Sequence, residues 1–396
     1  MHPPITKIGY HYSKMNYKEF YFPLLGVKAE ITGFHPQRKI VEYHAMLHVA
    51  GDNSNYETQL ANLHKVFQEL MVKEFLIGTV PVFKRYFLSD AANQAMALKK
   101  ELETFPPCAV SIVQQPPLDG SKIALWVYLM SNVTVEAGDL FTVSHNDYRH
   151  HWLAGKGISA ENSETQTSEL LENYETMLAN VHCNIADNCI RTWFFVQNVD
   201  VNYGGVVKAR RENFREQGLT EQTHYIASTG IEGRDANPAI FVLMDAYAVG
   251  GLTKEQIRYL YALTHLSPTY EYGVTFERGV CMEYGDRKHL YISGTASIDG
   301  KGEVLHAGDV RAQTRRVWDN VEKLLEEGEA AFCDVMQMIV YLRDISDYPI
   351  VKQMFEERFP EIPKQHVLAP VCRPSWLVEM ECIAAKANNN SAFNDL

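Results

Sequence analysis

The segment Gln313-Thr314-Arg315-Arg316-Val317-Trp318-Asp319-Asn320-Val321-Glu322-Lys323-Leu324-Leu325, followed by Val340-Tyr341-Leu342-Arg343-Asp344, decides the fold, because the chain writes it three times. Without a gap, Gln166, Asn173 and Trp193-Phe194-Phe195-Val196 occupy the same places earlier in the sequence. Earlier still stand Gln59, Val66 and Tyr86-Phe87-Leu88-Ser89-Asp90. The apolar positions superpose too: Val317, Val321, Leu324 and Leu325 correspond to Leu170, Tyr174, Met177 and Leu178, and to Leu63, Phe67, Leu70 and Met71. That spacing is one face of a helix. A helix-then-strand unit repeated three times predicts one fold used three times.

Working outward, copy one spans roughly 36–132, copy two 140–250 and copy three 270–386. Each closes with a strand, a turn and a strand: Cys108–Val113 with Ile123–Leu129, His224–Ser228 with Ala239–Met244, and Val367–Ala369 with Leu377–Ile383. Copy three also opens on a strand at Leu290–Gly294. Each copy therefore reads strands, helix, strand, helix, strand, strand, with the helices on one side of a sheet, an α+β layer architecture. The expected domains are 1–135, 136–268 and 269–396. Residues 1–35, rich in Tyr10, Tyr12, Tyr17, Phe20 and Tyr21, read as an edge strand or packing arm. Residues 251–270 read as a connector, helical from Lys254 to Leu263, and the tail around Asn388-Asn389-Asn390-Ser391 as disordered.

The 396 residues allow two or three domains with real cores, and 46% hydrophobic content fits a globular chain. A formal net charge of −12 argues against a general nucleic-acid binder. No apolar run is long enough to span a membrane, and the amino-terminal residues carry no apolar signal region. Seven cysteines without a C-x-x-C pair suggest reduced thiols and a cytoplasmic location.

The copies differ where chemistry would be done. Copy three ends Cys372-Arg373-Pro374-Ser375-Trp376-Leu377-Val378-Glu379-Met380-Glu381-Cys382. Alternate strand residues share a face, so Glu379 and Glu381 point together. Burial and like charge would raise at least one pKa, giving the protonated carboxyl that general acid catalysis uses. Taken alone, the strand reads more plainly as a solvent-facing one with two ordinary glutamates. Arg210, Arg278 and Arg373 stand near the copy boundaries. Arginine binds carboxylates bidentately, although each could also be a surface charge. His145, His150 and His151 with Asp147 match no familiar metal spacing and read as a solvated turn, so no metal is expected. Gly230–Gly233 reads as a glycine turn without a phosphate-loop lysine. Cys372 has no marked histidine partner and reads as a packing thiol.

Copy three resembles the Rid superfamily of YjgF-like proteins, formerly labelled endoribonuclease L-PSP. The resemblance lies in Tyr291–Thr295, Gly308-Asp309-Val310 with Gln313-Thr314, Asn320, Val340–Leu342 and Val378–Ala384. It implies three Rid-like (chorismate-mutase-like) units arranged as a fused pseudo-trimer, since small Rid proteins are homotrimers with sites at subunit interfaces. The arginine that Rid deaminases place after the second helix is missing from Pro363-Lys364-Gln365-His366-Val367.

Copies two and three together also resemble the chorismatases. The matching residues are Arg191-Thr192-Trp193, Ala209-Arg210 to Phe214, Ser228–Gly233, Tyr272-Gly273, Phe276-Glu277-Arg278, Ser293–Ile298, His306–Val310, Cys372-Arg373 and Leu377–Glu381. The resemblance implies a hydrolase that cleaves the enolpyruvyl ether of chorismate or a related small carboxylic acid, with no cofactor. It casts Glu379 as the acid, Glu381 as its helper, and Arg210, Arg278, Arg373, Cys372 and Thr295 as substrate contacts. One site is expected, at the junction of copies two and three. A Rid-type enamine/imine deaminase and a non-catalytic carboxylate-binding protein are the alternatives. A monomer or a homo-oligomer is compatible with the sequence, and neither a nucleic-acid nor a membrane partner is expected.

Overall fold

The computed structural model describes residues 15–36, 40–49 and 54–396, with the backbone alone of Tyr272. The first sheet holds β1 (Asn16–Phe22), β2 (Val27–Phe34), β3 (Glu42–Val49), β4 (Thr79–Leu88), β5 (Ala109–Gln114) and β6 (Ile123–Ser131), with helices α1 (Tyr56–Met71) and α2 (Ala91–Leu102). The second holds β7 (Thr134–Glu136), β8 (Phe141–His145), β9 (Tyr148–Gly157), β10 (Cys189–Val196), β11 (Ala227–Glu232) and β12 (Val242–Gly250). Its helices are α3 (Ser163–Asn180), the single turn α4 (Ile185–Asn188) and α5 (Val199–Glu216). The third holds β13 (Ile257–Leu260), β14 (Gly279–Glu283), β15 (Arg287–Ala296), β16 (Val335–Leu342), β17 (Lys364–Leu368) and β18 (Val378–Ala387), with α6 (Val310–Glu327) and α7 (Tyr348–Arg358).

The strand order is the same in all three: β1-β2-β3-β6-β4-β5, β7-β8-β9-β12-β10-β11 and β13-β14-β15-β18-β16-β17. In each sheet only the last pair is parallel, and a helix makes that crossover. These are the three tandem α+β units, arranged as a pseudo-trimer, that the repeat implies.

The repeated residues do the same work in each unit. Asn55, Asn162 and Asp309 cap α1, α3 and α6, each accepting from the N–H three residues on. Four positions after each cap stands the repeated glutamine. Gln59 accepts from Lys122 N, Gln166 from Phe241 N and Gln313 from Leu377 N. Each glutamine thereby ties the first helix of its unit to the start of the closing strand.

The closing strands are buried on both faces, and their alternation divides two cores. In β6, Ile123, Leu125, Val127 and Leu129 pack under the unit's own helices, while Ala124, Trp126, Tyr128 and Met130 face a core shared by all three units. In β12, Val242, Met244, Ala246 and Ala248 take the helix side, and Leu243, Tyr247 and Val249 the shared side. A chain of aromatic contacts links the units there. Phe83 meets Trp152 at 4.9 Å between ring centroids, Trp152 meets Tyr247 at 4.3 Å, and Tyr247 meets Tyr291 at 5.3 Å. Arg287 of the third unit is ion-paired with Glu42 of the first.

Several local expectations are corrected. Residues 254–263 do not form a helix beyond one 3-10 turn, because β-prone Ile257 and Tyr259 sit in β13, paired antiparallel with β14. The Asn388–Ser391 tail is held in place, since Asn388 and Asn390 donate to Glu283 and Gly285 N donates to Asn394 O. His145, His150 and His151 are not solvated. They are buried in the β8–β9 hairpin, where His145 bonds His150 at 2.9 Å and His150 bonds the Tyr247 hydroxyl at 2.6 Å. Gly230–Glu232 belong to β11 rather than a turn, because parallel pairing with β10 extends the strand past Ser228. β1 is an edge strand, as the aromatic arm suggests, whereas Tyr10 and Tyr12 lie outside the described residues. Among the described residues no helix is long and apolar enough to cross a membrane.

Candidate active site

A cavity of about 300 Å³ opens where the second unit meets the third. The second unit contributes α5, with Tyr203 and Arg210, and β11, with Ser228, Thr229 and Gly230. The third contributes Phe276 and Arg278 ahead of β14, Gly294 and Ala296 of β15, Glu379 of β18, and Cys372, Arg373 and Trp376 from the loop before β18.

The backbone makes this approach possible at two glycines. β15 has a register irregularity against β18 between Ile292 and Thr295. A Cβ at Gly294 would collide with the Glu379 carboxyl, and one at Gly230 with the Tyr203 ring. Ser293, in the same irregularity, accepts from Arg191 at 3.0 Å and from Ser228 N at 3.0 Å, and donates to Glu277 O at 2.6 Å. That clamp joins the two units beside the cavity.

Strand alternation puts Glu379 and Glu381 on one face, but their surroundings differ. Glu381 accepts from Arg191 at 2.8 Å, from Trp193 Nε1 at 2.9 Å and from Thr229 Oγ1 at 2.5 Å. Arg85, from the first unit, lies 3.8 Å away on the other side. Arg85 also donates to Asp245 at 2.8 and 3.2 Å, and its guanidinium lies 4.9 Å from the ring centroids of both Trp193 and Phe195. Side chains from all three units therefore converge on Glu381.

Glu379 is 4% exposed and has no hydrogen bond or ion pair among the described residues. Burial, reinforced by the nearby Glu381 charge and opposed by Arg191 and Arg278, pushes its pKa up to about 8. At neutral pH its carboxyl therefore carries a proton and faces the cavity.

Arg210 is buried. It donates to Thr275 Oγ1 at 3.3 Å and to Ser228 Oγ at 3.4 Å, while its Nη2 has no partner among the described residues. Arg278 is buried, donates to Ser267 O at 3.1 Å, and lies 5.4 Å from the Phe276 ring. Arg373 is exposed at the cavity edge, 5.4 Å from the Trp376 ring. Burial, with Glu379 beside it, pushes the Cys372 thiol up to about 12, so it stays protonated and is a poor nucleophile.

The structure thus gathers Glu379, Arg210, Arg278, Arg373 and Cys372 around one cavity. It sets Glu381 behind them, in the ion-pair network. Thr295 is not on the wall: it points away from its neighbours Gly294 and Ala296, and its hydroxyl bonds Ser293 O at 2.9 Å. Arg191, Trp193 and Thr229 were visible in sequence only as parts of motifs. The usable signal for Arg85 in the sequence is the charged pair Lys84-Arg85 inside the otherwise apolar run Val80–Leu88. No cluster able to hold a metal ion occurs among the described residues.

A triplicated α+β unit with a cavity between successive units defines a trimer-like architecture in one chain. Residues 279–386 match the sequence model of the endoribonuclease L-PSP family. Over 99 residues the chain is 34% identical to a RutC family protein of Pyrococcus abyssi, a match covering 24% of this chain and 78% of that protein. Over 97 residues it is 34% identical to the 3-aminoacrylate deaminase RutC of Acinetobacter baylyi, covering 24% and 77%. The chain belongs to this RutC, or endoribonuclease L-PSP, family. A solved chorismatase is similar over 77% of this chain and 92% of its own, with a TM-score of 0.61 and 17% identity, a likeness of fold.

Proposed function

We propose that the protein is a chorismatase-like hydrolase that cleaves the enolpyruvyl ether of chorismate or a related small carboxylic acid, releasing pyruvate. The observation that carries this reading is Glu379: a buried carboxyl, protonated near neutral pH, lining a cavity that is also lined by Arg210, whose Nη2 has no partner among the described residues. An enol ether is hydrolysed by protonating its terminal methylene carbon. Water then adds to the oxocarbenium carbon, and the resulting hemiketal collapses to pyruvate and an alcohol. The first step needs a general acid, and Glu379 supplies the proton. Glu381, held by Arg191 and Arg85, places a negative charge where it favours the protonated form of Glu379. Arg210, Arg278 and Arg373 fix the carboxylates of the substrate. The water consumed accounts for the hydrolysis, and these steps call for no organic cofactor. All seven cysteines are free thiols, which supports a reducing, cytoplasmic setting.

A second reading, an enamine or imine deaminase, is favoured by the likeness to 3-aminoacrylate deaminase RutC. Against it, Lys364-Gln365-His366 occupies the region where such enzymes carry their arginine. The deciding experiment incubates the purified chain with chorismate and measures pyruvate. Release abolished by Glu379→Gln upholds the hydrolase, whereas inertness to chorismate with ammonia release from enamines moves the assignment to the deaminase. Inertness toward both leaves a carboxylate-binding protein.

A further inference from the structure

α5 carries two glycines in succession, Gly204 and Gly205, inside the helix. Glycine there is destabilising relative to alanine, because it gives up the most backbone freedom on folding. Neither has a positive φ, so backbone conformation demands neither. For Gly205 the reason is packing. A Cβ there would collide with Ser163 Oγ and stand 2.7 Å from Glu164 N, so this glycine lets α5 close on the first turn of α3.

Gly204 has no such neighbour. A Cβ built there meets no atom within 4 Å among the described residues, yet Gly204 lines the cavity of the candidate active site. The missing side chain therefore leaves cavity space and admits no other part of the protein.

The other lining residues define what that space serves. Along α5 the cavity is lined by Tyr203, Gly204, Val207 and Arg210, a stretch of about 10 Å at the rise of a helix. At one end stands Arg210, buried, with its Nη2 unpartnered among the described residues. At the other end stands Gly204, exposed at the rim, beside a Tyr203 ring that packs against Gly230 of β11. Val207, Phe276, Ile298 and Trp376 add apolar surface suited to a carbon ring. At about 300 Å³ the cavity is small for a ligand pocket, so one added side chain would take a substantial share of it.

We propose that Gly204 is a specificity-determining residue of this site: it leaves the room that a ring-sized carboxylic acid, anchored by its carboxylate on Arg210, needs at the far end of the cavity. A three-carbon acid on Arg210 does not extend that far and is indifferent to Gly204. The inference rests on the carboxylate-binding role given to Arg210 above, but not on ether cleavage.

The test pairs thermal melting with calorimetric titration of the full chain, using 3-hydroxybenzoate as the ring-sized probe and pyruvate as the three-carbon one. Neither probe needs turnover, so a chain inert to chorismate would sink the hydrolase reading and leave this titration decisive. Wild type should bind both probes, and Arg210→Ala should weaken both. Gly204→Ala and Gly204→Leu should melt no lower than wild type, because each replaces a helix glycine at a position with no neighbour. Gly204→Leu should weaken 3-hydroxybenzoate binding roughly tenfold or more, the scale of overfilling a packed site, with Gly204→Ala in between. Pyruvate binding should change by less than about twofold in either variant, within the scatter of surface substitutions. The proposal is overturned if 3-hydroxybenzoate affinity survives Gly204→Leu, if both probes weaken together in that variant, or if wild type fails to bind either one. A lower melting temperature for Gly204→Leu would show that the position is packed and would equally refute it.

Discussion

Glu379 and Glu381 share one face of β18, yet the tertiary structure gives them opposite environments. Glu381 is bound by Arg191, Trp193 and Thr229, while Glu379 has no such partner among the described residues and faces a cavity. The pair is a protonated acid beside a charge held in place.

Glu379→Gln keeps the shape of the side chain but cannot deliver a carboxylic proton. Pyruvate release from chorismate should fall by roughly 10²–10⁴-fold in kcat, with KM nearly kept. Steady-state kinetics check this, and an unchanged kcat would remove Glu379 as the acid.

Activity should fall on the alkaline side as Glu379 loses its proton, with a midpoint at about pH 8. Stability should follow the same group. The folded chain keeps the proton up to about pH 8, whereas an unfolded glutamate releases it near 4.5. Between those values the folded state binds more protons, so this contribution is full below about 4.5 and is lost as pH rises through about 8. Denaturant titrations across that range should show a steeper decline for wild type than for Glu379→Gln.

Arg210→Ala removes a charge that would meet a carboxylate present in both ground and transition states. KM should rise roughly tenfold to a hundredfold while kcat changes little, in line with about 1.5–3 kcal/mol for a charged hydrogen bond. A fall in kcat at constant KM would contradict the anchoring role.

Arg191→Met strips Glu381 of its closest cation and leaves a buried carboxylate beside Glu379. The loss should be about 3–5 kcal/mol, read as a drop in the midpoint of urea unfolding. A neutral outcome would mean that Arg85 and Trp193 suffice to hold Glu381.

Gln166→Leu should cost about 1–3 kcal/mol, because Phe241 N then loses its acceptor and Ala160 O and Ala239 O lose their donor. Gln313→Leu should cost a similar amount, because Gln313 accepts from Leu377 N and donates to Ser375 O. A large difference between the two would mean that the repeated glutamines do not play equivalent roles.

The fold was legible because it rests on local, periodic signals. The threefold recurrence of an amphipathic helix that opens on a glutamine appears directly in residue order, and the structure adds the cap four residues before each glutamine. So does the same-face placement of Glu379 and Glu381, since strand alternation is a property of the backbone. Where sequence reading failed, packing had overruled a local preference. Ile257–Leu260 pairs with β14 instead of coiling, the His145–His151 hairpin is covered by neighbouring units, and the asparagine tail is bonded to Glu283 and Gly285.

The site divides the same way. Sequence alone determined the repeating unit, the acidic pair and the arginines near the copy boundaries. Only the tertiary structure decided which glutamate is held and which carries a proton, that Thr295 turns away from the cavity, and that Arg85 reaches Glu381 from a unit whose own closing strand lacks the glutamate pair. The physical reason is that burial and charge pairing depend on residues from separate units meeting across an interface. No local spacing encodes those distances.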